Sequence, residues 1–226
     1  MSPGGDLGGV IALTAQLAGI TTLLLLILGT PLAWWLAHTR CRARPLIEAT
    51  IALPLVLPPT VLGFYFLIAF APGNPISELW QSITGQRLAF SFEGLVIASM
   101  VYSLPFVVQP LQNSFRQLPD SLLETAKTLG AGYWDRWFSI ILPMCRSGFI
   151  SAATLGFAHT VGEFGVVLMI GGNIPGETRV LSLALYEEVE LMNYSNAHWM
   201  AGGLMLFSLL TLALLYRQQK SQGWLR

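Results

Sequence analysis

The sequence predicts an all-α integral membrane protein with about five transmembrane helices. Hydrophobic residues make up 54% of the 226 residues and charged residues only 11%, with a mean hydropathy of +0.60. Soluble domains carry about 25% charged residues. A membrane-spanning helix needs roughly 20 apolar residues, and the stretches that reach about this length are 13–37, 50–71, 94–115, 148–171 and 199–216. We therefore expect residues 1–226 to form a single transmembrane domain.

The basic residues predict the orientation, because they collect on the cytoplasmic side of membrane proteins. The longest polar interruption is the loop 118–144. If that loop is inside and the spans alternate, only Arg87 and Arg179 of the 12 Lys and Arg residues lie outside. We therefore expect the N-terminus outside and the C-terminus inside. We expect no cleavable signal peptide, since no basic residue precedes the long first apolar run.

Composition and motifs exclude several classes of function. The formal net charge is zero, which gives no reason to expect a nucleic-acid partner. Cys41 and Cys145 both lie on predicted cytoplasmic flanks, so neither a disulfide nor a metal site is expected. The chain has no GxxxxGK[ST], HExxH or GxSxG motif, so we expect it neither to hydrolyse ATP itself nor to hold a cofactor of its own.

Proline residues predict where the first two spans bend. Pro31 predicts a kink near Thr30 in the first span. Pro54, Pro58 and Pro59 interrupt the second span, and non-helical backbone at membrane depth is tolerated only against protein or a water-filled cavity. This region, with Pro58 and Pro59, is therefore a candidate part of a transport path, although a kinked packing helix is equally compatible.

Polar residues in the third and fourth spans are further candidates for a path. Gln109 and Asn113, near the inner end of the third span, either line a path or bond to neighbouring helices. In the fourth span a stripe of small and polar residues is expected to face inward, because small residues let helices approach closely in lipid; its members are Gly148, Ala152, Gly156, His159 and Glu163. Glu163 would be protonated, paired with His159, or turned into a helix contact.

The loop 118–144 predicts a short helix with defined ends. Ser121 followed by Glu124 has the spacing of a capping box, and Gly130 supplies the left-handed residue that ends many helices. Leu122, Ala126 and Leu129 form one narrow apolar stripe. A second helix follows, expected to lie at the membrane surface through aromatic and aliphatic residues and to end at Pro143; those residues are Trp134, Trp137, Phe138 and Ile141.

The same loop resembles a loop in the membrane subunits of ABC importers, E-A-A-x3-G-x9-I-x-L-P. The matching positions are Glu124, Ala126, Gly130, Ile140, Leu142 and Pro143, with Thr125 where alanine is usual. The resemblance implies a type I ABC importer permease fold and a transport subunit that is not itself an enzyme. Its energy source would be two cytoplasmic ATPase subunits, which would bind ATP and Mg and on which this loop would dock. The alternative is a well-capped surface loop without a partner.

Further stretches resemble the membrane subunits of molybdate importers: PLVLPPTVLGF, AKTLGAG, GEFG and NIPGETR. This resemblance implies an inner-membrane homodimer that receives molybdate or tungstate from an extracytoplasmic binding protein. A sulfate or thiosulfate importer is the alternative, because GEFG is shared with such permeases. The outer turn with Pro175, Gly176, Glu177 and Arg179 would then help to seat the binding protein.

Two readings from other classes remain open from the residues alone. An intramembrane enzyme would use His159 and Glu163 as acid and base, but it lacks a nucleophile, a metal set and a second carboxylate. A structural or assembly protein would need no path. No Lys or Arg lies inside any predicted span, so a path would be weakly binding and uncharged, as a path that must release its cargo requires.

Overall fold

Every regular element is a helix in the part of the chain that the computed structural model describes, residues 7–223 with side chains to residue 217. Three helices are long and apolar enough to cross a membrane on their own. They are α1 (Leu7–His38), α5 (Phe92–Arg116) and the membrane-length part of α12 (Tyr194–Gly223). Helix α1 continues through Pro31.

Two further spans are bent pairs of helices. In the first, α2 (Arg44–Ala52) and the 3-10 turn Leu53–Leu55 meet α3 (Pro59–Phe70) at 104°. This break confirms the interruption predicted from the prolines. In the second, the segment Tyr133–Met144 meets α9 (Arg146–Val161) at 69°. Counting each pair as one span gives up to five spans, in agreement with the prediction.

The predicted continuous fourth span 148–171 is wrong. Helix α9 ends at Val161 and α10 (Gly165–Gly171) begins after a short break. A methyl group added at Gly165 would lie 2.8 Å from Pro59 Cβ, so α10 starts where its backbone packs closely on the first turn of α3. The break lets α10 turn away from α9 and cover α3 and α5.

The centre of the bundle is α5, which packs along both α1 and α9, while α1 and α9 also contact each other. Two clusters of buried side chains lie along it. One cluster, at the end that leads into the loop 118–144, includes Leu36, Leu111, Phe115 and Ile141. The other, towards the opposite end, includes Leu17, Leu95, Val166 and Ile170. The bundle thus has a core at each end of α5.

Small residues on α9 allow its close contact with α5, as predicted. Gly148, Ala152 and Gly156 are all buried. A methyl group at Gly156 would lie 2.7 Å from Val107 Cγ2, and one at Gly148 would overlap Ser114 Cβ. The stripe therefore faces protein rather than lipid.

We expect Gly148→Ala to lower the stability of the purified protein by about 1–3 kcal/mol, because the added methyl group overpacks the α5–α9 contact. Gly203→Ala in α12 is the matched control, since nothing lies within 4 Å of a methyl group there. Thermal unfolding in detergent would compare the two variants. Equal melting temperatures would contradict the close packing.

The end of the bundle opposite the loop 118–144 carries two short helices. Helix α4 (Pro75–Thr84) is capped by the Asn74 side chain, which accepts from the Ile76 N–H at 3.0 Å. Helix α11 (Leu181–Glu190) follows the turn at Gly176. Both helices were expected in these segments.

Helix α12 is the most exposed of the membrane-length helices. Only 6% of its membrane-length window is buried, compared with 56% for α5. It begins at Tyr194, a few residues before the predicted start of the fifth span. Its apolar surface thus remains free to contact lipid or another chain.

Candidate functional site

The loop 118–144 contains a projecting helix, α6 (Asp120–Thr128), none of whose residues is buried. The predicted capping box is wrong. The helix begins two residues earlier than a cap at Ser121 requires, with Pro119 at the N-cap and no side-chain cap bond. Pro119 sets this start because its extended backbone leads directly into the helix. Ser121 therefore lies within the first turn, and its carbonyl accepts from the Thr125 hydroxyl at 2.8 Å.

The end of α6 is as predicted. Gly130 has a φ of +86°, in the left-handed region that favours glycine. The Ala131 N–H donates to the Ala126 carbonyl and the Gly130 N–H to the Lys127 carbonyl, each at 3.0 Å. These two bonds are those of a Schellman motif, so the length and direction of α6 depend on Gly130.

The apolar stripe of α6 points partly into solvent. Leu129 is 83% exposed and Leu122 is 37% exposed, and Ala126 between them is half-buried. Thr125 and Glu124 are exposed. A short helix that holds two leucines in solvent is a surface suited to an apolar groove on a partner.

The second half of the loop differs from the prediction in two ways. Trp137 and Ile141 were expected at a membrane surface, but Trp137 packs on Trp34 with ring centroids 5.1 Å apart, and Ile141 is only 3% exposed. Of the four residues expected at the membrane surface, only Trp134 and Phe138 are exposed, at 70% and 65%. This half of the loop is therefore anchored in the protein core.

The helical segment ends at Met144, one residue after the end predicted at Pro143, and the chain then bends by 69° into α9. Helix α7 (Tyr133–Arg136) is followed by a π-helical turn, Trp137–Ile141, and then by α8 (Leu142–Met144). The Leu142 N–H donates to the Trp137 carbonyl, a bond of π type. The wider turn accommodates a proline that has no N–H to donate. Leu142 and Pro143 are exposed, and Ile140 is half-buried.

The predicted path residues do not form one site. Pro59 packs against Gly165 of α10, whereas the neighbouring Pro58 is exposed. His159 stacks on Phe106 with ring centroids 3.9 Å apart, and its Nδ1 lies 2.9 Å from Ser103 Oγ. His159 is therefore held by α5.

Glu163 is 3% exposed, and the pairing with His159 that the sequence allowed does not form. The Ser99 hydroxyl of α5 is a polar neighbour of the carboxyl group. Neither carboxyl oxygen, however, makes a hydrogen bond of ordinary geometry with a described residue. The Glu163 backbone carbonyl accepts from the Ser182 hydroxyl at 2.5 Å, which ties the break between α9 and α10 to α11.

Gln109 lies in a cavity of about 1060 Å³ between α5 and α9, together with Asn113, Ser147, Ser151 and Arg146. Gln109 and Asn113 were predicted as path candidates, and Arg146 was counted only as an inner basic residue. The two serines were not anticipated from the sequence. Their spacing of four residues on α9 was the available signal.

A second site that sequence reasoning missed is Glu48. Its Oε1 accepts from Arg44 Nε at 2.9 Å, from Gln112 Nε2 at 2.7 Å and from Arg116 Nη2 at 2.5 Å. The network ties α2 to the end of α5 that leads into α6. The spacing of Arg44 and Glu48, four residues apart on a helix, was the only sequence signal.

The turn at the opposite end is exposed at Pro175, Gly176 and Glu177. Arg179, the fourth residue predicted there, is not a free cation. Its Nη2 lies 2.9 Å from Glu187 Oε2, and Asn173 donates to the same carboxylate at 3.1 Å. Arg179 thus holds the turn onto α11.

No group of three or more His, Cys, Asp or Glu side chains within the described residues is placed to hold a metal ion. Cys41 is exposed and Cys145 is buried. The features that remain as candidate functional sites are therefore the cavity beside α5 and α9 and the projecting loop 118–144.

Membrane-length helices, bent helix pairs and a short helix that projects at one end give a fold that permeases of the ABC importer type share. Two solved structures share this fold. A bacterial alginate ABC transporter in complex with an alginate-bound periplasmic protein matches with a TM-score of 0.70 and 16% identity, over 95% of this chain and 77% of that chain. The MetNI methionine ABC transporter matches with a TM-score of 0.70 and 17% identity, over 98% and 99%.

The chain belongs to the family described as binding-protein-dependent transport system inner membrane component, which matches residues 29–220. It is 57% identical to the molybdenum transport system permease protein ModB of Azotobacter vinelandii over 95% of both chains. It is 34% identical to ModB of Escherichia coli K12, over 80% of this chain and 79% of that protein. A probable sulfate transport system permease protein cysT of Chlorella vulgaris is 30% identical, over 90% and 76%.

Proposed function

We propose that this chain is the transmembrane subunit of an ATP-driven importer that passes molybdate, or its near-twin tungstate, into the cytoplasm. The observation that carries the proposal is the 57% identity to a molybdenum permease along 95% of both chains. The probable sulfate permeases are 30–32% identical, so a sulfate or thiosulfate importer is the alternative. The chain forms a single permease domain with its N-terminus outside and its C-terminus inside.

The proposed assembly contains two copies of this chain, two ATPase subunits on the cytoplasmic side and an extracytoplasmic binding protein. The exposed apolar surface of α12 suits lipid or a second copy. The turn at Pro175, Gly176 and Glu177 is exposed at the end opposite α6 and suits contact with the binding protein. ATP and Mg would be bound by the ATPase subunits.

The surface proposed to contact the ATPase is α6. Its leucines are exposed, while both ends of the loop are anchored: Leu118 is 8% exposed and Ile141 3%. A rigidly held helix with an apolar tip can transmit a movement of its partner to α5 and α9. A surface loop without a partner would have no need of exposed Leu122 and Leu129 on a braced helix.

An acid–base enzyme is not supported, because Ser103 holds the imidazole of His159 and Glu163 does not bond to it. The experiment that tests the proposed function is ATP hydrolysis by the reconstituted complex, stimulated by binding protein loaded with different oxyanions. We expect molybdate or tungstate to stimulate and sulfate or thiosulfate not to. Stimulation by sulfate alone would favour the alternative, and no stimulation by any oxyanion would contradict the proposal.

Neutralising Glu124 is expected to weaken ATPase binding by about two- to fivefold. Its side chain is exposed and does not cap α6, so its charge is free for a partner, and an exposed ion pair contributes up to about 1 kcal/mol. Co-purification of the ATPase with Glu124→Gln would be compared with Asp120→Asn, which removes the same charge from the same helix outside the matched motif. Equal ATPase binding by both variants would leave Glu124 without an ionic role.

A further inference from the structure

The cavity between α5 and α9 combines an accessible volume with polar side chains that have no partner among the described residues. It measures about 1060 Å³ and opens near the α6 end. Gln109, Asn113, Ser147, Ser151 and Arg146 all line it. None of these five side chains makes a hydrogen bond or ion pair with another described residue. Unpaired donors gathered in one cavity are available to a ligand.

The charge of the cavity indicates the sign of that ligand. Arg146 is its only charged lining residue within the described part of the chain, and no Asp or Glu lines it. Arg44 and Arg116, which also lie near this end of α5, are both already engaged by Glu48. The cavity therefore carries one uncompensated positive charge beside amide and hydroxyl groups, which is a donor set for an oxyanion.

We propose that this cavity is a transient exit subsite for the tetrahedral oxyanion, in which Arg146 supplies the charge and Gln109, Asn113, Ser147 and Ser151 supply hydrogen bonds. The inference rests on the proposed function and deepens it. A cargo released from the membrane path would exchange bound water for these neutral donors and then leave past Arg146 into the cytoplasm.

The composition of the site suits passage rather than storage. Arg146 is exposed, and solvent screening limits the attraction of an exposed charge pair. Neutral amides and hydroxyls bind an anion more weakly than buried cations do. Conduction requires binding that is favourable enough to enter and weak enough to leave.

The test is thiol labelling of the Ser151→Cys variant in the assembled complex, with an anionic and a cationic methanethiosulfonate reagent. The quantity compared is the ratio of the anionic to the cationic labelling rate. We expect this ratio to be about threefold higher when Arg146 is present than in Arg146→Gln, as expected for one exposed charge. The ratio of the two reagents cancels any change in the reactivity of the thiol itself. Arg42→Gln, which removes an exposed cation from the loop between α1 and α2, should leave the ratio unchanged.

Ligand binding is tested in the same experiment by adding molybdate, sulfate or chloride. Molybdate should slow the labelling of the introduced thiol at lower concentration than chloride, and it should not slow the labelling of native Cys41, which is exposed outside the cavity. Protection by sulfate in preference to molybdate would support an oxyanion subsite but indicate sulfate as the transported anion. An equal ratio of anionic to cationic labelling rates with and without Arg146 would contradict the proposed subsite. So would the absence of protection by any oxyanion in a complex that transports. Neither result would affect the proposed function.

Discussion

Replacing Gly130 with valine is expected to give a protein that inserts in the membrane but neither binds the ATPase normally nor transports. The left-handed φ of +86° at this position costs of order 1–3 kcal/mol for a residue other than glycine, and more for a β-branched side chain. The Schellman bonds that end α6 would be lost with it. Leu129 and the rest of the helix would then be displaced from the contact proposed with the ATPase. Uptake and ATPase stoichiometry, both normalised to inserted protein, are the measurements.

Gly132→Val is the matched control for this experiment. Gly132 lies two residues away with an ordinary φ of −66°, and nothing lies within 4 Å of an added methyl group. We expect near-normal uptake for this variant, so a loss confined to Gly130→Val would assign the effect to the left-handed backbone. Full uptake and stoichiometric ATPase binding by Gly130→Val would show that the end of α6 is not needed for coupling.

The features that could be predicted from sequence are those with a local cause. The breaks at Pro54, Pro58 and Pro59 follow from a missing N–H and a fixed φ, and the end of α6 follows from glycine. The inward stripe of α9 follows from residue size and helical periodicity. Each of these depends on a few neighbouring residues, so the amino-acid types suffice.

The features that could not be predicted depend on distant contacts. Trp137 and Ile141 were assigned to a membrane surface because their burial depends on a distant contact: Trp137 packs on Trp34 of α1, and Ile141 lies in the same buried cluster. No proline marks the break after Val161 in the sequence. The break depends instead on the packing of Gly165 against Pro59, which is distant in the chain. The pairing of Arg179 with Glu187 likewise joins residues on a turn and a helix whose approach is a tertiary event.

The second large effect is expected at Glu163, where neutralisation and removal of the polar group should have different consequences. An ionised carboxylate at this depth would repel a dianion, by roughly 5 kcal/mol at about 6 Å in an effective dielectric of 20. Burial of the charged form without a partner is also unfavourable. The carboxyl group is therefore expected to act as a neutral group, and Glu163→Gln should retain substantial uptake per assembled complex. If the glutamine variant assembles fully but transports nothing, ionisation of Glu163 is part of the gate.

Glu163→Leu separates a structural role from a functional one. A buried polar group without a bond costs about 1–3 kcal/mol, and neither carboxyl oxygen makes a hydrogen bond of ordinary geometry within the described residues. We therefore expect the leucine variant to unfold at the same or a higher temperature than the unmodified protein, contrary to a role as a hydrogen-bonding anchor. Loss of uptake in this stable variant, with uptake kept in Glu163→Gln, would show that the polar group acts during the transport cycle. A lower melting temperature for Glu163→Leu would instead establish the carboxyl group as a structural contact, and uptake equal to that of the unmodified protein would show that transport needs no polar group at this position.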